Sequence, residues 1–247
     1  MSIENEKDLE SLRRVGRVVA ACLKHMHEML EPGMTTAELD AIGKAFLEAH
    51  GAIPAPKHFY KFPGTTCISV NHNVAHGLPG EEKLKAGDLV NIDVSAMLDG
   101  YVADTGGSAA VPPIKPLHQR LLVAARDAMN NGIREARDGA PVRNIGKAME
   151  ATARRRGFTV IENLGSHGVG RSLHEDPGFI QGYFDPRDQR RLKKGMVITV
   201  EPFVSNGATW TEEAQDGWTL FTPGKYAAQF EHTIVVTEGA PLIMTRA

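Results

Sequence analysis

The sequence predicts an α/β chain of the α+β kind, in which two helices followed by strands occur twice. Three observations carry this reading: apolar residues spaced by three and four, short β-branched runs between them, and a match of the chain to itself. Gly33 maps onto Gly139, Leu39 onto Ile145 and Gly51 onto Gly157, each at an offset of 106 positions. The run from Leu84 to Asp93 matches Leu192 to Glu201 at an offset of 108, and an acid ends both. Glycine-ended helices can look alike by accident, but the strand match is harder to explain that way. The organisation expected is one domain of two pseudo-symmetric halves, about 1–112 and 113–247, with a site between them.

The elements follow in order. Leu12, Val15, Val19, Cys22, Met26 and Met29 lay one apolar stripe along a first helix, which Glu31-Pro32-Gly33 stops. Thr35 with Glu38 three residues on is a capping box, and Leu39, Ile42, Phe46 and Ala49 carry a second helix to Gly51. Thr66–Val70, Leu89–Ser95 and Leu98–Ala103 then read as strands. From Pro116 the helical period returns through Leu117, Leu121, Ala124, Ala128 and Ile133 until Asp138-Gly139, and a further helix runs from about Val142 to Arg156. Strands at Val197–Val200 and Phe230–Val236 complete the second half.

Composition narrows the function. With 42% hydrophobic and 23% charged residues in 247, the chain has the apolar material for a large core. A net charge of −2 gives no footprint for nucleic acid or anionic lipid. Cys22 and Cys67 suggest neither a disulfide framework nor a thiolate metal site. No signal peptide or membrane helix is evident, so the chain reads as cytoplasmic and complete.

The chemistry lies in acids placed in strands. Alternation turns Val90, Ile92 and Val94 to one face and Asp93 to the other. Glu201 ends one β-branched run and Glu231 sits at the start of another. Buried carboxylates need a cationic partner, and no basic residue lies in these strand cores. Asp104 follows Asp93 by 11 residues, a distance that suits a hairpin turning at Asp99-Gly100. His167, between Ser166 and Gly168 in a glycine-rich run, adds an imidazole. Four carboxylates balance two divalent cations to zero, whereas one cation leaves −2; an oxygen-rich set with one imidazole suits Mn, Fe, Co or Zn.

Asp93, Asp104, His167, Glu201 and Glu231, with His76 before Gly77 and His174 in Leu173-His174-Glu175, resemble methionine aminopeptidases of the bacterial type I kind across nearly the whole chain. The resemblance implies the duplicated pita-bread fold, a curved antiparallel sheet covered on one face by helices. It implies that Asp104 and Glu231 bridge two metals, that Asp93 chelates one, and that His167 and Glu201 hold the other. It also makes Glu201 a proton shuttle, His174 a hydrogen-bond donor to the oxyanion and His76 a contact to the peptide nitrogen. Phe59, Phe62, Cys67 and Trp218 match positions that grip the methionine side chain.

Pro56, Phe59, Phe62 and Leu173 depart from the family's usual residues, as does Thr105-Gly106-Gly107-Ser108. The activity implied is removal of N-terminal methionine before a small second residue, from nascent chains at the ribosome, by a monomer. An X-Pro peptidase of the same fold is the second enzyme reading. A metal-free binding protein on the same scaffold is the third, disfavoured because all five ligand types are present.

Overall fold

The computed structural model describes residues 2–246. Five helices are present among them: α1 (Glu6–Glu28), α2 (Thr36–Ala49), α3 (Ala55–Tyr60), α4 (Pro116–Arg134) and α5 (Arg143–Arg155). The apolar stripe of α1 is buried from Leu12 to Met26, but Met29 is the C-cap and is 45% exposed, because the helix ends before it. In α2 the capping box forms as the spacing requires: the Thr35 hydroxyl accepts from the Glu38 backbone, and the Glu38 carboxylate accepts from that of Thr35. Pro116 occupies the first turn of α4, where its missing N–H costs nothing. That helix stops at Arg134, earlier than Asp138-Gly139.

Each half has a sheet. In the first, Leu89–Leu98 pairs on one edge with Ile53–Pro54 and Cys67–Val70 and on the other with Tyr101–Ala110. The hairpin is longer than the sequence runs suggested, and its second strand starts at Tyr101 rather than Leu98. Asp99 and Gly100 make the turn, both at positive φ (52° and 76°), as a tight two-residue hairpin demands. In the second half, five strands lie in the order Leu242–Ile243, His232–Val235, Val197–Val200, Gly165–Gly168, Glu175–Gln181, with every pairing antiparallel. Phe230 makes only an isolated bridge to Gly107, so the last long strand begins at His232.

The two halves repeat in conformation as well as in order. Gly33 and Gly139, Gly51 and Gly157, and Gly87 and Gly195 all adopt positive φ, so glycines that match in sequence turn the chain in the same way. One core cluster gathers α1 and α2 residues such as Leu12, Met26 and Leu39 over Ile68, Val90 and Ile92. A second gathers Leu121, Ile145 and Met149 over Ile198, Val200 and Ile234.

A seam joins the sheets where Tyr101–Ala110 meets the segment around Glu231. The Glu231 amide donates to the Gly106 carbonyl (2.9 Å). The fully buried Thr233 hydroxyl accepts from the Asp104 amide (2.9 Å) and donates to the Asp104 carbonyl (2.8 Å). One hydroxyl thus does the work of a ladder pair. Thr233→Val keeps the shape but strands a buried N–H and C=O, so it is expected to lower stability by roughly 1–3 kcal/mol, read by urea denaturation of metal-free chain. An unchanged midpoint would contradict this role.

Candidate metal centre and active site

The seam and the second sheet bring the predicted acids together. Asp104 stands opposite Ser95 in the hairpin and Asp93 lies two residues along, so both carboxylates share a face. Glu201 leaves the end of Val197–Val200, and Glu231 precedes His232–Val235. His167 Nε2 is 3.4 Å from Glu201 Oε1 and 3.8 Å from Asp104 Oδ2. Donor atoms of Asp104, His167 and Glu231 all lie within 4.8 Å of one another, and all three residues are buried.

Polar neighbours aim these groups. Thr199 donates to Glu201 Oε1 (2.7 Å) and accepts from the His167 amide (3.0 Å). Gln229 Nε2 donates to Glu231 Oε2 (3.0 Å), and the Glu201 amide donates to the Ser166 hydroxyl (3.0 Å). His167 Nδ1 faces the Gly168 carbonyl (2.9 Å), which can only accept, so the proton sits on Nδ1 and Nε2 keeps its lone pair for a metal. Thr199 and Gln229 were missed in the sequence, yet a signal existed: each lies two residues before a ligand acid, on the same face of an extended segment.

The electrostatics call for a cation. Burial raises all four carboxyl pKa values, that of Asp93 to about 6. Repulsion adds to this: Asp93 and Glu201 act on Asp104, and Asp104 and Glu201 act on Glu231. Burial, and then His174, push the His167 imidazole down to about 3. Among the described residues no Lys or Arg lines the adjoining cavity, and Asp104 Oδ1 and Glu231 Oε1 are buried without a hydrogen-bond partner. Lone pairs turned toward one another, with an unprotonated imidazole nitrogen among them, are a donor set for divalent metal.

The cavity has a volume of about 420 Å³, and its walls include Asp93, Asp104, His167, Glu201, His76 and His174. Phe62, Cys67 and Trp218 line it too, with the Phe62 and Trp218 rings edge to face at 5.2 Å. Glu231 lies outside this lining. Phe59 is also outside it: this ring packs on the first core cluster, and the next residue, Tyr60, faces the cavity instead. In a short helix one residue turns the side chain through about 100°, which residue counting cannot resolve. His76 holds positive φ (54°) at the cavity edge, while His174 is 4.1 Å from the His167 ring and takes a hydrogen bond of 2.8 Å at Nδ1 with the Tyr60 hydroxyl.

A cluster of buried acids and one histidine at the junction of two half-domains defines a metallohydrolase type of centre. The chain belongs to the metallopeptidase family M24, whose model matches residues 10–238. It is 48% identical to a methionine aminopeptidase of Staphylococcus epidermidis, over 100% of this chain and 99% of that protein. It is also 48% identical to methionine aminopeptidase 2 of Bacillus subtilis, with both chains covered completely. The crystal structure of methionine aminopeptidase from Rickettsia prowazekii superposes with a TM-score of 0.95 at 38% identity, covering 100% of each chain. Prolidase from Pyrococcus furiosus shares the fold, with a TM-score of 0.79 at 21% identity over 99% of this chain and 65% of that one. The architecture is the pita-bread fold of this family.

The raised carboxyl pKa values fix the sign of a pH effect in metal-free chain. Folded Asp93, Asp104, Glu201 and Glu231 hold protons that unfolded carboxylates release, so stability falls as pH rises through their folded pKa values. His167 works in the opposite sense only between about 3 and its ordinary value of 6.5. Burial also lowers the pKa values of His27, His76, His118, His174 and His232, which act in the same sense as His167, so the carboxylate effect is read by difference: as pH rises through the folded carboxyl pKa values, the urea midpoint of chelator-dialysed protein is expected to fall relative to that of Glu231→Gln. A midpoint that rises relative to the variant would contradict the burial of like charges.

Proposed function

We propose that this chain is a methionine aminopeptidase that removes N-terminal methionine from nascent chains and peptides whose second residue is small. The observation that carries the reading is a set of four carboxylates, Asp104, Glu201 and Glu231 buried and Asp93 half-buried, with one unprotonated imidazole nitrogen, beside a cavity walled by Phe62, Cys67 and Trp218. Asp93, Asp104, His167, Glu201 and Glu231 would hold two divalent ions (Co, Mn, Fe or Zn) there, with Asp104 and Glu231 serving both. The ions would supply the Lewis acidity that makes water nucleophilic near neutral pH and polarises a carbonyl.

The chain's own groups do the rest. Glu201, its Oε1 held by Thr199, takes the proton of the attacking water and returns it to the leaving nitrogen. His174 donates to the carbonyl oxygen as negative charge grows there, and His76 contacts the peptide nitrogen on the leaving side. Phe62, Cys67 and Trp218 enclose an unbranched thioether with aromatic faces and a sulfur. Phe59 has no part in this pocket. One metallopeptidase domain of two halves, about 1–112 and 113–247, carries the whole site. We place the enzyme in the cytoplasm as a monomer that meets nascent chains at the ribosome; among the described residues no helix is long and apolar enough to cross a membrane.

The alternative, an X-Pro peptidase of the same fold, is favoured by no feature of the cavity. Relative kcat/KM on Met-Ala, norleucine-Ala, Val-Ala and Ala-Pro starting peptides separates the two. Met-Ala and norleucine-Ala are expected to be cut well, Val-Ala poorly because its branch lies close to the backbone, and N-acetylated peptides not at all. Preference for Ala-Pro would transfer the assignment. Chelation is expected to abolish cleavage and added divalent metal to restore it. Glu201→Gln keeps an oxygen ligand but loses the base, so kcat is expected to fall by roughly 10²–10⁴ while metal content, read by elemental analysis, changes far less.

A further inference from the structure

One contact that holds His174 at the cavity crosses between the halves of the molecule. Tyr60 ends the short helix α3, and the chain leaves it through Lys61 in the left-handed region (φ 60°). This places the Tyr60 ring edge-on to the His174 ring at 5.5 Å and its hydroxyl 2.8 Å from Nδ1. Both residues are exposed at the mouth of the cavity, and they are 114 positions apart in sequence. On its other side His174 meets the ring of His167, at 4.1 Å and 38°. A ring contact fixes where an imidazole lies but says nothing about which nitrogen carries the proton. The hydroxyl does.

We propose that Tyr60 is a positioning residue that donates its O–H to His174 Nδ1 and so keeps the imidazole proton on Nε2. A neutral imidazole that accepts at one nitrogen carries its proton on the other. With Nδ1 engaged, Nε2–H is the edge left for a substrate oxygen, and no side chain or backbone group among the described residues bonds to it. The reverse arrangement, Nδ1–H donating to the phenol oxygen, would turn a bare lone pair toward the developing oxyanion and oppose the reaction. The tether also fixes ring rotation, which a solvent-accessible histidine beside one stacking partner would otherwise explore. This inference rests on the role given above to His174.

The test is Tyr60→Phe, which keeps the ring and removes the hydroxyl, made in full-length chain loaded with diamagnetic zinc. Nitrogen-15 NMR of the histidine side chains, with His174 assigned by its loss in His174→Ala, reports the tautomer without any turnover. The wild type is expected to show protonated Nε2 and bare Nδ1, and Tyr60→Phe a mixture of tautomers. In kinetics on Met-Ala peptide, kcat is expected to drop roughly tenfold with KM within about twofold and zinc content unchanged. Adding Tyr60→Phe to His174→Ala is expected to cost nothing more, because the hydroxyl acts through the imidazole. Wild-type His174 protonated on Nδ1, or a Tyr60→Phe spectrum and kcat like the wild type, would overturn the proposal. If the expected tautomer is seen but Met-Ala is not cut, the positioning stands and the assigned activity fails.

Discussion

Three buried carboxylates and a half-buried fourth meet beside a cavity that, among the described residues, no Lys or Arg lines, and the rest of the structure is arranged around that constraint. Burial and mutual repulsion raise their pKa values together, so without a cation the site keeps protons that water would otherwise take. No single element could hold so many like charges. Asp93 and Asp104 come from one hairpin of the first half, His167, Glu201 and Glu231 from three segments of the second. The fold thus stores electrostatic strain that metal relieves, and metal affinity and fold stability become linked quantities.

The duplication explains how such a site is built. Each half has its own core under its own pair of helices, so each sheet can be rigid independently. What remains is a seam, and Thr233 and Gly106 close it with hydrogen bonds to the backbone next to two of the ligand acids. The ligands therefore sit on extended chain at the join, where small movements of one half against the other would be felt at once. The glycines at 106 and 107 leave room there: a Cβ at Gly106 would press on the Gln229 amide that orients Glu231. The same junction supplies a cavity lined both by Asp93, Asp104, His167 and Glu201 and by the Phe62 and Trp218 rings.

How much of this was legible in the sequence depended on the range of the interactions. The hairpin was readable because Asp99-Gly100 is a local turn signal, and the repeat because glycines needing positive φ recur at a constant offset. The four strand acids stood out as a set because acids in β-branched runs are costly unless something binds them. Strand ends were less so, since the pairing partner rather than the residue itself decides where Tyr101–Ala110 begins. The pocket was least legible. Phe59 and Tyr60 are adjacent, similar in size, and differ only in which way a six-residue helix turns them, a matter settled by how α3 packs on the first core. The hydrogen bond between Tyr60 and His174 links the halves through tertiary placement alone, and no local pattern announces it.

The central claim is that divalent cations, and no protein group, balance the buried carboxylates. Anomalous diffraction from zinc-loaded crystals tests it most directly. The account requires two zinc peaks, with Asp93, Asp104, His167, Glu201 and Glu231 as the only protein ligands at roughly 2.0–2.2 Å. Fewer than two peaks at these side chains, or a Lys or Arg found turned into the cluster in their place, would contradict it.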